Sequence, residues 1–304
     1  MADRITGMEV FARVAALGSL SAAARALGMS QTMATKHIAA IEARLGTKLI
    51  HRTTRRMTLT EAGQNYLEAV ETILDDIAQA ESQASQSATE VQGQLRLNVP
   101  VSFGIREIAP LLPKLAEEYP KLNVDLGLND RHVNLIEEGW DLAVRIGQLQ
   151  ESSMIARRLA PCAMVVCASP KYLEQNGRPN SVADLTTHNC LGYTLSRLVG
   201  VNRWHFEPGG RKSVPISGTL QANNGDVLVT AAVAGQGIIY QPVFLVRKEI
   251  VDGGLVQLEL DQPTVALDGI YAAYPADRKP PAKVRATIDF FVEQFSPIPP
   301  WERA

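Results

Sequence analysis

The feature that most constrains the fold is a change in the spacing of apolar residues near residue 92. Before it, apolar side chains recur at helical spacing, as at Met8 and Phe11, and only one short stretch favours β-structure. After it, alternating stretches such as Leu95 and Leu97 are separated by helical ones. The sequence therefore predicts a helical N-terminal part and an α/β C-terminal part, and 304 residues are enough for two or three domains with cores of their own.

Basic residues are concentrated at the N-terminus. Residues 1–65 contain nine Lys and Arg against four Asp and Glu, although the whole chain has 30 against 32. A basic head on an acidic body indicates that only the head meets a polyanion.

The basic segment is predicted to contain a helix-turn-helix. Gly28 and Met29 suit a tight turn, and the next residue is a natural N-cap for a third helix that ends at Gly46. The outward face of that helix carries small polar side chains and one cation, which fit a major groove where bulky or acidic side chains would not. We expect DNA contacts from Ser30, Gln31, Thr32, Thr35 and Lys36.

A second DNA contact is predicted in residues 48–59. Two β-favouring arms flank a basic, threonine-rich tip, which is the pattern of a wing. Its cations would lie against phosphates or in a minor groove. The expected wing contacts are Arg52, Thr53, Arg55 and Arg56.

A long helix is predicted from Thr60 onward, with a heptad stripe that includes Leu67, Val70, Leu74 and Ile77. Two interpretations stay open: the stripe packs on the head itself, or it pairs with a second copy of the chain. The second is favoured because little other chain is nearby to cover the stripe. The polar residues 83–90 are predicted to form a hinge.

Beyond the hinge, a βαβ unit is predicted over residues 95–128. Further strands are predicted at Leu142–Ile146, Met164–Ala168, Gly218–Ala222, Gly237–Tyr240, Leu255–Leu260 and Gly269–Tyr274, and a closing helix at Val284–Phe295.

The candidate ligand-binding residues of this region follow strands. The segment Pro100, Val101, Ser102 and Phe103 precedes a helix, whose free N–H groups and added hydroxyl suit an anion. Two further candidates, Asn223 and Asn224, have a similar position, where a plain N-cap and turn is equally consistent. The last candidate, Arg145, either faces a cleft or pairs with a nearby acid.

The sequence contains no His-Glu-x-x-His, Gly-x-Ser-x-Gly, phosphate loop or Gly-x-Gly-x-x-Gly pattern, so we expect no enzyme activity and no cofactor. The histidines outside the head are scattered and are expected to be solvated or structural: His132, His188 and His205. The three cysteines lack metal-site spacing and are expected to be buried thiols, with a redox role for Cys190 as the alternative. No signal peptide or membrane span is predicted, which favours the cytoplasm.

Residues 18–63 resemble the N-terminal signature of the LysR-type transcriptional regulators. The matching elements are the Gly-Ser start, Ser-Gln at the third helix, Ile-Glu-x-x-Leu-Gly at its end, and the Arg-Thr and Leu-Thr-x-x-Gly of the wing. Family-like stretches continue through the body at Asp141–Gly147, Ser169–Leu173 and Gly235–Ile238. Where many relatives have Ser and Arg, this chain has Thr35 and Lys36. Because lysine is a point charge and not a planar fork, a phosphate contact or a looser base contact is favoured for Lys36.

The resemblance implies an α+β multi-domain fold with a winged helix-turn-helix (1–60), a long linker helix and hinge (61–91), and an α/β effector domain (92–304). This last domain would be shaped like a periplasmic binding protein, with subdomain I at about 92–163 and 267–304, and subdomain II at about 164–266. The crossovers are expected near Cys162–Val165 and Ala266–Gly269. Homodimers through residues 61–88, assembled into homotetramers, are implied as well.

Three classes of function are compatible with a basic head on an α/β body: a ligand-responsive regulator, an architectural DNA binder and an enzyme with a DNA-binding head. Architectural binding scales with charge, whereas this head combines a modest charge excess with a shaped helix. An enzyme would need a site that the sequence does not contain. We therefore expect a sequence-specific transcriptional regulator of double-stranded DNA. A small-molecule effector, an organic anion, would bind between the subdomains, and RNA polymerase is a further partner compatible with this class.

Overall fold

The computed structural model describes residues 3–52, 57–84, 91–131, 133–147, 154–276 and 280–303. The chain divides into two compact units, Met1–Glu90 and Val91–Ala304, called the head and the body below. Each contains its own cluster of buried apolar side chains. The change in apolar spacing thus falls at the boundary between two separately packed units.

The head begins with three helices, α1 (Arg4–Leu17), α2 (Leu20–Ala26) and α3 (Gln31–Leu45). Each starts at a side-chain cap, and the hydroxyl of Ser30 accepts from the Met33 N–H at 3.2 Å to cap α3. Gly46 ends α3 with a φ of 69°, a left-handed conformation that side chains with a Cβ rarely adopt. The serine cap and the left-handed glycine therefore set the two boundaries of α3, as the sequence predicts.

The wing consists of the antiparallel strands β1 (Ile50–Arg52) and β2 (Met57–Leu59). It lies next to the long helix α4 (Glu61–Ala84), which approaches the chain before β1 closely. A Cβ on Gly63 would lie 2.1 Å from the Leu49 carbonyl oxygen, so the residue at this position must be glycine. The contact fixes where α4 leaves the wing.

The heptad stripe of α4 is divided between two environments. Val70 is fully buried and Leu67 packs against the head core, so the first part of the stripe covers the head itself. Farther along, Ile73 is 40% exposed, and Leu74 and Ile77 are half-buried. The interpretation of α4 as packing on its own domain is therefore correct up to Val70.

Within its described residues the body contains eleven strands and six helices, apart from short 3₁₀ turns and one π-helical turn. In its first half these are β3 (Gly93–Val99), α5 (Val101–Phe103), α6 (Leu112–Glu118), β4 (Leu122–Leu128), β5 (Leu142–Ile146) and β6 (Met154–Ala168). Then come α7 (Pro170–Asn176), β7 (Gly192–Tyr193), β8 (Arg203–Phe206), β9 (Lys212–Pro215) and β10 (Gln221–Ala222). The last are α8 (Gly225–Val233), β11 (Ile239–Pro242), α9 (Val243–Val251), β12 (Val256–Gln257), β13 (Ala266–Pro275) and α10 (Ala282–Phe295).

A seven-stranded sheet joins two halves of the body, with the order β11-β6-β13-β5-β3-β4 and β12 beside β6. Strand β6 pairs with β13 up to Ala163 and with β11 from Met164, which is where the first crossover was expected. Strand β13 has register shifts between Leu267 and Tyr271, next to the second expected crossover. Below, subdomain I denotes β3–β5, α5, α6 and α10, and subdomain II denotes α7–α9 and β7–β12.

Some strand predictions differ from the structure for a physical reason. Strand β6 begins at Met154, ten residues before the predicted Met164. The sequence pattern missed its first half because exposed charged residues, such as Arg157 and Arg158, hide the apolar alternation there. The predicted strand Leu255–Leu260 is reduced to Val256–Gln257, although Leu255 and Leu258 are both buried. The two buried leucines are three positions apart, so they do not have the alternation of a strand, and they lie in a connection with little strand pairing.

Candidate functional sites

The first candidate site is the N-terminal half of α3. The side chains of Gln31, Thr32, Met33 and Lys36 are all exposed there, on the side away from the head core. The hydroxyl of Thr35 donates to the Gln31 carbonyl at 2.9 Å, which leaves its lone pairs and its methyl group for other contacts. The exposed turn thus combines an amide, a hydroxyl, a cation and one large apolar side chain.

A buried carboxylate fixes the other end of α3 against the wing. Glu42 accepts from the Leu49 N–H at 3.1 Å, and the Lys48 Nζ lies 2.6 Å from its second oxygen. Burial disfavours the charge of Glu42, but the hydrogen bonds from Lys48 and the backbone, together with the positive charge of Lys48, outweigh it and lower the pKa of Glu42 below its usual value. The ionised side chain therefore links α3 to the segment that leads into β1.

The predicted wing contacts fall largely outside the described residues. The backbone of Arg52 belongs to β1, opposite Met57, but its side chain is not described. Thr53, Arg55 and Arg56 lie outside the described ranges as well. Their contact with DNA stays a prediction.

The second candidate site lies between the subdomains, at the start of α5. The Val101 N–H donates to Asp130 Oδ1 at 2.9 Å, and the other oxygen of Asp130 accepts from Asn224 Nδ2 at 3.2 Å. Asp130 follows β4 in subdomain I, whereas Asn224 caps α8 in subdomain II. The pKa of the Tyr193 hydroxyl is raised to about 12, first by burial and second by the negative charge of Asp130. A carboxylate of the protein itself thus occupies the predicted anion position.

A second carboxylate lies beside the first. The Ser102 hydroxyl donates to Asp226 Oδ2 at 2.5 Å, and Arg106 binds Asp226 Oδ1 at 2.8 and 3.1 Å. Arg106 also lies 3.6 Å from Glu249 on α9. Burial raises the pKa of the adjacent Glu107 to about 7, against the opposing effect of Arg106. Donors of subdomain I are therefore engaged with acids of subdomain II.

The other predicted ligand residues have different positions. Pro100 precedes α5, and its carbonyl accepts from the Gly104 N–H at 2.8 Å. Phe103 is fully buried, and Asn223 is exposed beside Asn224. Arg145 is 9% exposed and donates to Asn98 Oδ1 at 3.0 Å and to the Val133 carbonyl at 3.1 Å. The structure thus brings Val101, Ser102 and Asn224 together at one place, and it gives Phe103 and Arg145 interior positions.

Sequence reasoning missed four residues of these sites: Met33, Arg106, Asp130 and Asp226. Met33 carried a signal, because a large apolar residue on a polar helix face is unusual when no core covers it. Asp226 carried one as well, as an acid in the first turn of a helix beside a candidate N-cap. For Asp130 and Arg106 there was none, because their partners are distant in sequence.

The cysteines and histidines of the body have interior or structural surroundings. All three cysteines are buried, and burial raises the pKa of Cys162 and of Cys190 to about 12 and that of Cys167 further. His188 contacts the Tyr172 hydroxyl at 3.1 Å, and His205 contacts the Gly210 carbonyl at 3.0 Å, whereas His132 is outside the described residues. Such thiols are poor nucleophiles.

Comparison with known proteins decides the family. Residues 5–64 match the family described as "Bacterial regulatory helix-turn-helix protein, lysR family", and residues 88–296 match the "LysR substrate binding domain". The chain belongs to the LysR-type transcriptional regulators. The resemblance found in residues 18–63 is confirmed, as is the fold class of a helix-turn-helix head with a LysR-type effector domain.

Several named transcriptional regulators are similar over nearly their full length. The HTH-type transcriptional regulator DmlR of Escherichia coli is 34% identical over 96% of this chain and 94% of that protein. The solved structure of CrgA, a LysR-type transcriptional regulator from Neisseria meningitidis, is 32% identical, covers 96% of this chain and 98% of that one, and superposes with a TM-score of 0.62. The Vibrio cholerae virulence activator AphB is 28% identical over 95% of this chain and 98% of its own, with a TM-score of 0.58.

Family membership gives the two units their functions. As a LysR-type regulator, the protein binds DNA and controls transcription, and an effector modulates its activity through the LysR substrate-binding domain. Its relatives are named as transcriptional regulators, which indicates a regulatory role. Within the part of the chain that the structure describes, no helix is both long and apolar enough to cross a membrane.

Proposed function

We propose that this LysR-type regulator binds its operator with the exposed N-terminal half of α3 in the major groove. The observation that carries the proposal is the side-chain set of that surface, where Gln31, Thr32 and Lys36 are exposed and the one acid of α3, Glu42, is buried. Gln31, Thr32 and Thr35 would contact base edges, Lys36 a phosphate, and the Ser30 cap would fix the helix N-terminus near the backbone. The wing would contact the DNA phosphates or lie in a minor groove, through Arg52, Thr53, Arg55 and Arg56.

The proposed assembly is a homodimer through the long helix, with tetramers built from dimers. It is supported by the part of the stripe beyond Val70, where Leu74 and Ile77 are half-buried and the adjacent Ile73 is 40% exposed. Two heads would then grip two half-sites. The protein would act in the cytoplasm without catalysis, and a contact with RNA polymerase would connect it to the promoter.

For the effector, we propose a small organic anion in the cleft between the subdomains. Three donors of subdomain I already bind carboxylates there: the Val101 N–H, the Ser102 hydroxyl and the Arg106 guanidinium. Donors that hold Asp130 and Asp226 can hold a carboxylate of similar size, with charge-assisted bonds from Arg106. Asn223 and Asn224 border this place, while Pro100, Phe103 and Arg145 would support it from behind.

The test has two parts. Footprinting of the region upstream of the protein's own gene, with and without a panel of carboxylates, should show a protected operator and a carboxylate that changes the footprint. That carboxylate should also stabilise the body, by about 2.7 kcal/mol at one hundred times its Kd. A panel that leaves the Tm unmoved, while a neutral or cationic metabolite raises it, would contradict the anion assignment.

Ser102→Ala tests whether the Ser102 hydroxyl binds the effector carboxylate. It removes one donor and should weaken the carboxylate response about tenfold. A response of wild-type strength in Ser102→Ala would exclude this hydroxyl from the site. Protection that ignores sequence would instead favour an architectural binder.

A further inference from the structure

The two subdomains hold each other through acids that point in opposite directions. Asp130 of subdomain I accepts from Asn224 of subdomain II, and Asp226 of subdomain II accepts from Ser102 and Arg106 of subdomain I. We call these five residues the clasp. Every one of its bonds between the subdomains has a carboxylate as acceptor, which makes each stronger than a bond between neutral groups.

Asn224 connects the clasp to the start of α8. Its Oδ1 accepts from the Asp226 N–H at 3.1 Å and from the Val227 N–H at 3.4 Å, which caps the helix. The capping oxygen fixes the orientation of the amide, so Nδ2 is directed to Asp130. The bond between Asp130 and Asn224 therefore exists only while α8 stays near the end of β4.

Asp130 also occupies the amide at which an effector carboxylate would bind. Its Oδ1 is 2.9 Å from the Val101 nitrogen, so one side chain both fills the anion position and reaches across the cleft. A ligand shifts the arrangement of two subdomains only if it binds one arrangement better than the other. Displacement of Asp130 supplies that difference, because the bond to Asn224 is then lost or remade.

We propose that Asp130 is an internal substitute for the anionic group of the effector, and that its bond to Asn224 holds the effector-free arrangement of the subdomains. The inference rests on the proposed function, in which an anion binds in this cleft. It adds that part of the effector's binding free energy is used to displace Asp130. Weakening the bond therefore raises the population of the receptive arrangement and lowers the effector concentration required.

The core behind the clasp explains why it can open without unfolding. Phe103 of subdomain I packs edge-on against Phe244 of α9 at 5.1 Å and against Trp301 at 5.5 Å. Phe103 is fully buried, and Trp301 is 2% exposed. This apolar contact does not depend on the clasp, so the subdomains stay joined when the polar bonds change.

The decisive variant is Asn224→Asp. Aspartate caps a helix as well as asparagine does, so α8 should keep its first turn. The Nδ2 donor, however, is replaced by a second carboxylate facing Asp130, and like charges at this distance repel. Combining it with Asp130→Asn restores one amide and one carboxylate in exchanged positions. Asn123→Asp is the control, because it makes the same charge change at an exposed residue near the other end of β4.

Two readouts on the full-length protein test the proposal. Spin labels introduced by Glu117→Cys and Gln175→Cys lie at exposed positions in subdomains I and II, and dilution with unlabelled chains isolates the distance within one protomer. Without any effector, Asn224→Asp should shift that distance and change the operator footprint, and the exchanged pair should restore both. With an active carboxylate from the panel, Asn224→Ser should respond at about one tenth of the wild-type concentration, because serine keeps the cap and removes the Nδ2 donor without placing a charge beside the anion.

Each outcome decides the matter. A wild-type distance in Asn224→Asp, or a shift that the exchanged pair does not reverse, would overturn the clasp. A reversible shift with an unchanged footprint would overturn its coupling to DNA. Failure of the proposed function is distinct: the wild type would then protect no operator or answer no carboxylate, whatever the distances in the variants.

Discussion

The exposed turn of α3 and the cleft of the body use charge in opposite ways. In α3 the acid is buried and held by Lys48 and the Leu49 N–H, while the outward surface carries a cation and neutral polar groups. In the cleft, acids and donors are already joined to each other, as Ser102 and Arg106 are to Asp226. An exposed cation can bind the phosphates of DNA without first breaking a bond within the protein. In the cleft, a ligand must replace an existing bond between a donor and an acid, and such an exchange can act as a switch.

The largest expected effect comes from the part of the head that both half-sites depend on. Leu74→Glu with Ile77→Lys places charges on the half-buried part of the α4 stripe beyond Val70 and should abolish dimerisation. Operator affinity should fall at least about 100-fold, since one head grips one half-site only. Sedimentation and footprinting measure the two effects. As the control, Gln64→Glu with Asn65→Lys adds the same charges at exposed positions of α4 and should change neither dimerisation nor the footprint. A dimer with a normal footprint in Leu74→Glu with Ile77→Lys would show that the α4 stripe is not the dimer interface.

A smaller effect is expected from base reading. Gln31→Ala should weaken binding by about 1–3 kcal/mol on the operator and leave binding to scrambled DNA unchanged. Titrations of both duplexes at one salt concentration measure the difference. Equal losses on both would assign Gln31 to the backbone instead.

The two regions also differ in how much the sequence alone could predict. Ser30 and Gly46 are recognisable at the ends of α3 because capping is local, and the wing strands follow from neighbouring residues. The clasp is not local: Val101 lies 29 residues from Asp130, and Asn224 lies 94 residues beyond it. No periodicity in one segment reports a partner that far away. For this reason the strand ends around the cleft were found, and the acids between them were not.

The same limit explains the outcomes for α4 and Arg145. A heptad stripe records that residues are apolar on one side, and it cannot say which neighbour covers them, so the buried Val70 and the half-buried Ile77 looked alike in the sequence. Likewise, Arg145 was placed correctly on a strand, but only the fold shows that Asn98 and the Val133 carbonyl accept from it. Local pattern gives the element, and the partner comes from the packing.

Glu42 of the head should have a structural role only, unlike Asp130 and Asp226 of the cleft. Glu42→Gln should reduce the stability of the head by about 1–2 kcal/mol at pH 7 and leave the carboxylate response intact. The pKa of Glu42 is lowered in the folded state, so its contribution is present above its usual value and is lost as the pH falls through the folded value. The wild type and the variant should therefore converge in acid. Hydrogen exchange in head peptides of the full chain, measured at several pH values in urea, follows this, and a constant difference at all pH values would refute it.

The smallest expected effect concerns Lys36, and it separates the two regions most directly. Each phosphate contact releases counterions, so log K falls with log salt with a slope of about 0.9 per contact. Lys36→Ala should therefore lower that slope by about one and weaken operator and scrambled DNA alike, since a point charge on a phosphate reads no base. Lys171→Ala removes another exposed cation, this one in the body, and should leave the slope unchanged. An unaltered slope in Lys36→Ala would exclude the phosphate contact, whereas a loss confined to the operator would assign Lys36 to a base edge. Because both variants remove one positive charge from an exposed lysine, a difference in slope reports where on the molecule that lysine lies.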